Sequence, residues 1–195
     1  MLFAKQNDLI LMTDKQLIER VANGEQVAFS CLVQRYLSAL IKFSVRYTLS
    51  IPCSEDIVQE SFLRVWSNAG SWCSSKGSVK SWLFKIVYHA TVDDLRKNKQ
   101  RPLPESHFIE NGDVDSNPEN KLLKQQQTQC FKESLSQLPE RQRTALTLFI
   151  SSGLSVAEVS CVLDLSTQAT TSLLARARRA LRDNMQAGRT TGVTL

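Results

Sequence analysis

Hydrophobic residues repeat at helical spacing along most of the chain, and this pattern predicts an all-α protein. The clearest case is residues 54–66 (SEDIVQESFLRVW), where apolar residues recur every three or four positions and form one face. Ser54 is a good N-cap, and the two acids that follow it suit the positive end of the helix dipole. The remaining ridge of this helix consists of Asp56, Gln59, Glu60 and Leu63. Periodicity alone indicates no more than an amphipathic surface helix.

Two more helices are predicted before this stretch. The first is capped by Thr13 or Asp14 and stops at Asn23-Gly24, a pair that commonly ends helices. The second has apolar residues at helical spacing across 27–43 and is expected to end at Pro52, because proline disrupts a helix interior.

A loop and a basic helix are predicted after residue 70. Residues 70–78 are small, polar and bounded by glycines, and Trp72 within them either packs on the core or offers a stacking surface for an unpaired base. The inward residues of the next helix, 79–99, are expected to be Val79, Trp82, Leu83, Ile86, Val87, Ala90 and Leu95. Its basic end consists of Arg96, Lys97, Lys99 and Arg101. Beside a base-stacking loop, such cations favour phosphate contact.

The second half of the chain begins with a change of composition. Prolines, a glycine and acids dominate residues 101–120, which predicts a flexible acidic linker. Helices are then expected from Asn117 and from Pro139, with apolar residues that include Ile150 on the inner side of the latter. Two more helices meet at the tight connection 164–166, an arrangement typical of either a helix-turn-helix or a plain helical hairpin.

Composition and charge limit the function classes. The net charge of +5 and a pI near 9.0 permit a polyanionic partner without requiring one. The five cysteines share no metal-binding spacing, so we expect reduced thiols without disulfides or zinc. No apolar run approaches about 18 residues, and no signal peptide is predicted. Nucleophile, P-loop and metalloprotease motifs are missing from the sequence, so we expect no enzyme and no cofactor.

The order of residues in three stretches resembles the extracytoplasmic-function (ECF) group of bacterial sigma factors. The clamp-binding motif D-x-x-Q-E-x-F is met by Asp56, Gln59, Glu60 and Phe62. The −10 motif of the family is met by Trp82, Leu83, Ile86, Asp93 and Arg96. The order G-L-S-x-x-E-V followed by S-x-L-x-R-A-R-x-A-L, within 153–181, is similar to sigma region 4, the reader of the −35 element.

This resemblance implies two small helical domains, a region 2 bundle and a region 4 helix-turn-helix, joined by the acidic linker. The expected boundaries are a leader over 1–13, region 2 over 14–100, the linker over 101–120, region 4 over 121–187 and a tail over 188–195. The partners implied are the clamp and flap regions of core RNA polymerase and promoter DNA. Family members are commonly held by an anti-sigma factor, often membrane-anchored. A cytoplasmic protein without direct membrane insertion is expected.

The resemblance also assigns candidate residues to three surfaces. The expected core-polymerase residues are Asp56, Gln59, Glu60, Phe62 and Leu63. The expected −10 residues are Trp72, Lys76, Ser78, Trp82, Lys85, His89, Arg96 and Lys97. The expected −35 residues are Ser155, Ser166, Thr167, Gln168, Thr171, Ser172, Ala175, Arg176, Arg178 and Arg179.

Four departures from the family pattern bear on DNA recognition. His89 stands where the family usually has Asn, and Asp164 where it has a turn glycine. Thr171 and Leu173 replace a basic pair, which predicts weaker −35 contacts and a shallower salt dependence. Two alternatives are a helix-turn-helix regulator that works without polymerase and a sigma-like interaction protein that no longer reads DNA. The clamp-type helix and the Trp72 loop argue against the first, whereas the lost basic pair favours the second.

Overall fold

The computed structural model describes residues 11–48, 50–97, 131 and 133–191. Helices and turns make up this part of the chain, and no strand occurs in it, which confirms the all-α prediction. Packing divides the chain into two units. The first takes in the described helices up to residue 97 together with Ala157–Leu165, and the second takes in the rest. The expected linker, the part up to residue 130 of the helix expected from Asn117, most of the leader and residues 192–195 lie outside the described residues.

Helix α1 (Asp14–Ala22) has well-defined ends. Thr13 accepts a hydrogen bond from the Gln16 backbone N–H, and the Gln16 side chain accepts one from the Thr13 N–H, which completes a capping box. The helix stops where Gly24 adopts a φ of 82°, as the Asn23-Gly24 pair predicted. Its apolar side is fully buried in the first unit.

Helix α2 (Gln26–Thr48) and helix α3 (Ile51–Asn68) correct two sequence predictions. Pro52 lies in the first turn of α3 instead of ending α2, because the missing N–H of proline costs nothing there. The N-cap is Ser50, whose side chain accepts from the Cys53 N–H at 3.4 Å. Ser54 lies inside the helix, where its N–H donates to the Ser50 carbonyl at 3.1 Å, so it is not the cap.

Helix α4 (Val79–Lys97) completes the bundle, after two short 3₁₀ turns at Ala69–Ser71 and Ser74–Lys76. Phe43 of α2 and Phe84 of α4 meet edge to face at the centre, with ring centroids 5.5 Å apart. Both side chains are completely buried. The prediction that Trp82, Ile86 and Leu95 point inward was wrong, since all three are half-buried while Phe84 occupies the core.

Buried hydroxyl groups also join these helices. Ser44 of α2 lies 3.2 Å from the hydroxyl of Thr91 on α4. Thr48 at the end of α2 lies 2.6 Å from the hydroxyl of Ser54 on α3. Satisfied pairs of this kind fix which helix faces meet, because a buried hydroxyl without a partner costs about 1–3 kcal/mol.

The second unit is built on helix α5 (Glu140–Leu146), which continues as a π-helical turn at Thr147–Ser151. Ile150 was predicted to face inward but is 53% exposed. The wider π turn shifts the angular position of every residue after it, so the α-helical period no longer applies. Gly153 follows the turn with a φ of 60°, a conformation that glycine adopts readily.

Helices α6 (Val156–Leu163) and α7 (Thr167–Thr191) follow. Asp164 ends α6 with a φ of 52°, and the next N–H, that of Leu165, donates to the Ser160 carbonyl at 3.0 Å. This is a Schellman-type end, in which glycine is the usual residue. Ser166 then caps α7 by accepting from the Ala169 N–H at 3.1 Å. Within the described residues, no helix is both long and apolar enough to cross a membrane.

Candidate functional site

The outer face of α3 carries an exposed ridge, formed by Asp56, Gln59, Glu60 and Leu63. Spacings of three and four residues place these side chains on one stripe of the helix. Leu63 is 61% exposed, which is unusual for a leucine and gives the stripe an apolar spot. Glu60 of the ridge forms an ion pair with the neighbouring Arg64 at 2.5 Å, so this side of α3 carries both a negative and a positive charge.

Phe62 lies on the opposite side of α3 from this ridge. It is only 5% exposed, and its ring meets Phe29 of α2 edge to face at 6.1 Å. Trp66 packs against the same Phe29 ring at 5.1 Å. The structure therefore places Phe62 in the core, apart from the four surface residues, which corrects the expectation that it lies on the contact surface.

A cleft of about 410 Å³ lies between the loop 71–77 and α4. This volume falls within the range of small-molecule sites, roughly 300–1,000 Å³. Five of the expected −10 residues line it, namely Trp72, Lys76, Trp82, Lys85 and His89. Two indoles and two amines around one concave space suit a flat aromatic ring attached to an anion, which is the chemistry of a nucleotide.

Trp72 partly packs on the core and partly faces this cleft. Its indole Nε1 is buried and has no acceptor within hydrogen-bonding distance among the described residues. The same side chain also lines a smaller cavity of about 270 Å³ beside Ile18, Ala22 and Asn23 of the α1 end. The two roles that the sequence left open for Trp72 are therefore compatible.

Gly77 shapes the loop at the edge of the cleft. Its φ of 134° is one that residues with a side chain rarely adopt, and an added Cβ would lie 2.8 Å from the Ser81 hydroxyl. Ser78 beside it accepts from the Ser81 N–H at 3.1 Å and begins α4. Hydrogen bonds from Ser75 lower the pKa of the exposed Cys73 thiol on the same loop.

Two of the expected −10 residues lie apart from the cleft. Arg96 and Lys97 occupy the last turn of α4, where both are exposed. Cations at a helix C-terminus are favourable to the helix dipole and remain available to phosphate. Ile86, which the sequence placed in the −10 motif but on the inner side of the helix, and Cys161, which the sequence did not single out, also line the cleft. Helical spacing could have placed Ile86 one turn from Trp82, but nothing local signals Cys161.

The expected −35 residues are all exposed. Most of them lie on the first three turns of α7, and their hydroxyl and guanidinium groups are partly engaged locally. The Thr171 hydroxyl donates to the Thr167 carbonyl at 2.9 Å, and Ser166 is occupied as the N-cap. The Arg178 guanidinium lies 4.8 Å above the Phe149 ring, which orients it by a cation–π contact. Leu173 is 8% exposed and belongs to the core of this unit.

Comparison with known proteins bears on what these surfaces are. A sigma-70 region 2 model matches residues 32–101, and a sigma-70 region 4 model matches residues 128–181. An ECF RNA polymerase sigma-E factor from Salmonella typhimurium is 31% identical over 186 residues, which span 90% of this chain and 95% of that protein.

Two solved structures share the fold at 24% identity. The structure of CnrH in complex with the cytosolic domain of CnrY has a TM-score of 0.66 and covers 89% of this chain and 97% of CnrH. The sigma factor RpoE from Bartonella quintana, in complex with the anti-sigma factor NepR, has a TM-score of 0.64 and covers 81% of this chain and 96% of RpoE.

The two matched regions define a sigma-70 type of transcription initiation protein, a class of non-enzymatic regulators. Within that class, the chain belongs to the ECF sigma factors. It is thus a promoter-directing sigma factor, as the resemblance implied. The alternative of a regulator that works without polymerase is set aside.

Proposed function

We propose that this ECF sigma factor binds core RNA polymerase through the ridge of Asp56, Gln59, Glu60 and Leu63. The observation that carries this proposal is the separation of α3 into two faces. The motif residues other than Phe62 are exposed on one stripe, and Phe62 anchors the helix from behind. A sigma factor acts only through core polymerase, so this surface decides the function.

The cleft beside α4 is proposed to receive one base of the melted −10 strand. Trp72 and Trp82 would stack on the base, and base–aromatic stacking is worth about 1–3 kcal/mol. Lys76 and Lys85 lie within reach of the adjoining phosphates, and Arg96 and Lys97 extend the cationic surface along α4.

The exposed side of α7 is proposed to lie in the major groove of the −35 element. Thr167, Gln168, Thr171 and Ser172 offer hydroxyl and amide groups near the start of the helix, where a recognition helix usually meets base edges. Arg176, Arg178 and Arg179 follow on the same helix and suit phosphate contact. Leu173 is buried and does not reach this surface. The position at which the family has a basic residue therefore packs in the core of this unit.

The proposal extends to location and to partners. We propose that the protein acts in the cytoplasm, where core polymerase works, and that it has no catalytic activity of its own. An anti-sigma factor is a further proposed partner, because the sigma factor RpoE from Bartonella quintana, which shares the fold, was solved in complex with the anti-sigma factor NepR.

The experiment that tests the proposal is core binding by the double variant Gln59→Ala with Glu60→Ala. It should lose measurable binding to purified core polymerase in fluorescence anisotropy while keeping its helical circular dichroism. The matched control is Glu19→Ala with Gln34→Ala, which also removes one acid and one amide from exposed helix positions. Glu19 forms an i, i+4 pair with Lys15, as Glu60 does with Arg64. Normal binding by the folded double variant would overturn the assignment.

A further inference from the structure

Segment Ala157–Leu165 belongs to the first unit and lies against the candidate −10 cleft. Its Cys161 side chain lines the cleft, and the Cys161 thiol donates to the Lys76 carbonyl at 2.9 Å. A Cβ added to Gly77 would lie 3.2 Å from the Cys161 sulfur, so the segment and the loop are in close contact. The cleft is therefore partly covered by residues that neither the −10 nor the −35 assignment uses.

Acidic side chains of this segment are paired with residues expected to hold DNA. The Asp164 carboxylate bonds to the Lys85 amine, and its other oxygen lies 3.7 Å from Nε2 of His89. The Ser78 hydroxyl donates to Glu158 at 2.5 Å. All three partners were expected to contact the −10 strand, and each now faces a carboxylate.

The position of Asp164 depends on an unusual backbone conformation. At a φ of 52°, the residue after α6 is turned so that its side chain reaches α4. Glycine, the usual residue at such a helix end, would leave Lys85 and His89 without this partner. The aspartate that breaks the helix-turn-helix pattern thus supplies a charge that a glycine cannot.

We propose that segment Ala157–Leu165 is a built-in cover of the −10 cleft, in which the Asp164 carboxylate occupies the place of a DNA phosphate on Lys85 and His89. This inference rests on the proposed −10 role of the cleft. DNA and the cover compete for the same side chains, so the free protein binds the −10 strand only in the fraction of molecules whose cover is displaced. The segment also lies within the stretch 128–181 that matches region 4, so release of the cover frees residues of that region.

The test compares the full-length protein with Asp164→Asn. Asparagine tolerates a positive φ at least as well as aspartate and removes only the charge. The matched control is Asp183→Asn, an identical charge change at an exposed position of α7. Two quantities are measured without polymerase. One is the rate at which N-ethylmaleimide alkylates Cys161, followed by peptide mass spectrometry so that the separate reaction of Cys73 does not interfere. The other is the Kd for a fluorescein-labelled pool of random single-stranded 15-nucleotide DNA.

Asp164→Asn should raise the Cys161 alkylation rate and lower the Kd, each by about threefold, which is the size expected from one exposed charge pair. Asp183→Asn should change neither quantity by that factor. Faster alkylation with an unchanged Kd would overturn the competition with DNA while leaving the −10 role of the cleft intact. An unchanged alkylation rate would show that Asp164 does not hold the segment and would overturn the proposal. If Asp164→Asn binds no DNA although its Cys161 reacts faster, the released cleft does not take the strand, so the −10 assignment fails and the cover loses its proposed purpose.

Discussion

Phe62 and Leu63 are adjacent in sequence but face opposite sides of α3, and alanine at each position should have opposite consequences. Phe62 is 5% exposed and packed on Phe29, so Phe62→Ala should lower the free energy of unfolding by about 3–5 kcal/mol. Leu63 is 61% exposed, so Leu63→Ala should change it by no more than about 0.5 kcal/mol. The second variant should instead weaken binding to core polymerase.

Urea unfolding followed by tryptophan fluorescence measures the first of these effects. The three tryptophans, Trp66, Trp72 and Trp82, all lie in the first unit, so the signal reports on the unit that contains α3. With an m-value of roughly 1.5 kcal/mol/M, the loss in Phe62→Ala corresponds to a midpoint lower by about 2–3 M. Fluorescence anisotropy of the labelled protein with core polymerase measures the second effect. It is measured without urea, after both variants have been checked for folding.

The result that would refute this reasoning is an exchange of the two effects. If Leu63→Ala lowered the urea midpoint by more than about 1 M, the residue would be part of the core and the ridge would be misassigned. If Phe62→Ala kept its stability but lost polymerase binding, Phe62 would act as a contact residue. A Leu63 variant with unchanged stability and unchanged binding would remove the apolar spot from the interface.

Two more predictions concern DNA. Trp72→Ala should slow promoter opening, measured by permanganate footprinting, more than it weakens closed-complex binding, because stacking on an unpaired base is made only after melting; an equal loss in both would indicate a packing role. Arg179→Ala should weaken duplex binding by the holoenzyme uniformly across sequences and reduce the salt slope of log K by about 1, whereas a sequence-dependent loss with an unchanged slope would make Arg179 a base contact.

The all-α class and most helix faces could be predicted because the buried side of an amphipathic helix has apolar residues at every third or fourth position. The end of α1 at Asn23-Gly24 was also predictable, because the positive φ that ends the helix is a local preference of glycine. Local signals conflicted at the start of α3, where Ser50 and Ser54 are both capable N-caps and Pro52 can either end one helix or begin the next. Sequence patterns do not decide such a choice, because the burial of Ser54 against Thr48 depends on tertiary packing.

The candidate site was predictable only as far as motifs extend. The ridge of α3 and five residues of the cleft were expected from the resemblance. The inward prediction for Trp82 was wrong because an apolar residue that lines a cleft has the same helical spacing as one in the core. The contact of Lys85 with Asp164 joins residues 79 positions apart, and neither residue carries a local signal of the other. The π turn that contains Ile150 could not be predicted either, since its composition is that of an ordinary helix.

The central claim is that this chain directs core polymerase to specific promoters. The most direct test is run-off transcription with purified bacterial core polymerase, this protein and a library of candidate promoters. The structure and the family predict promoter-specific transcripts only when both proteins are present, and their loss with the Gln59→Ala, Glu60→Ala variant. Core binding without transcripts from any library member would contradict the claim and favour a sigma-like interaction protein that no longer reads DNA.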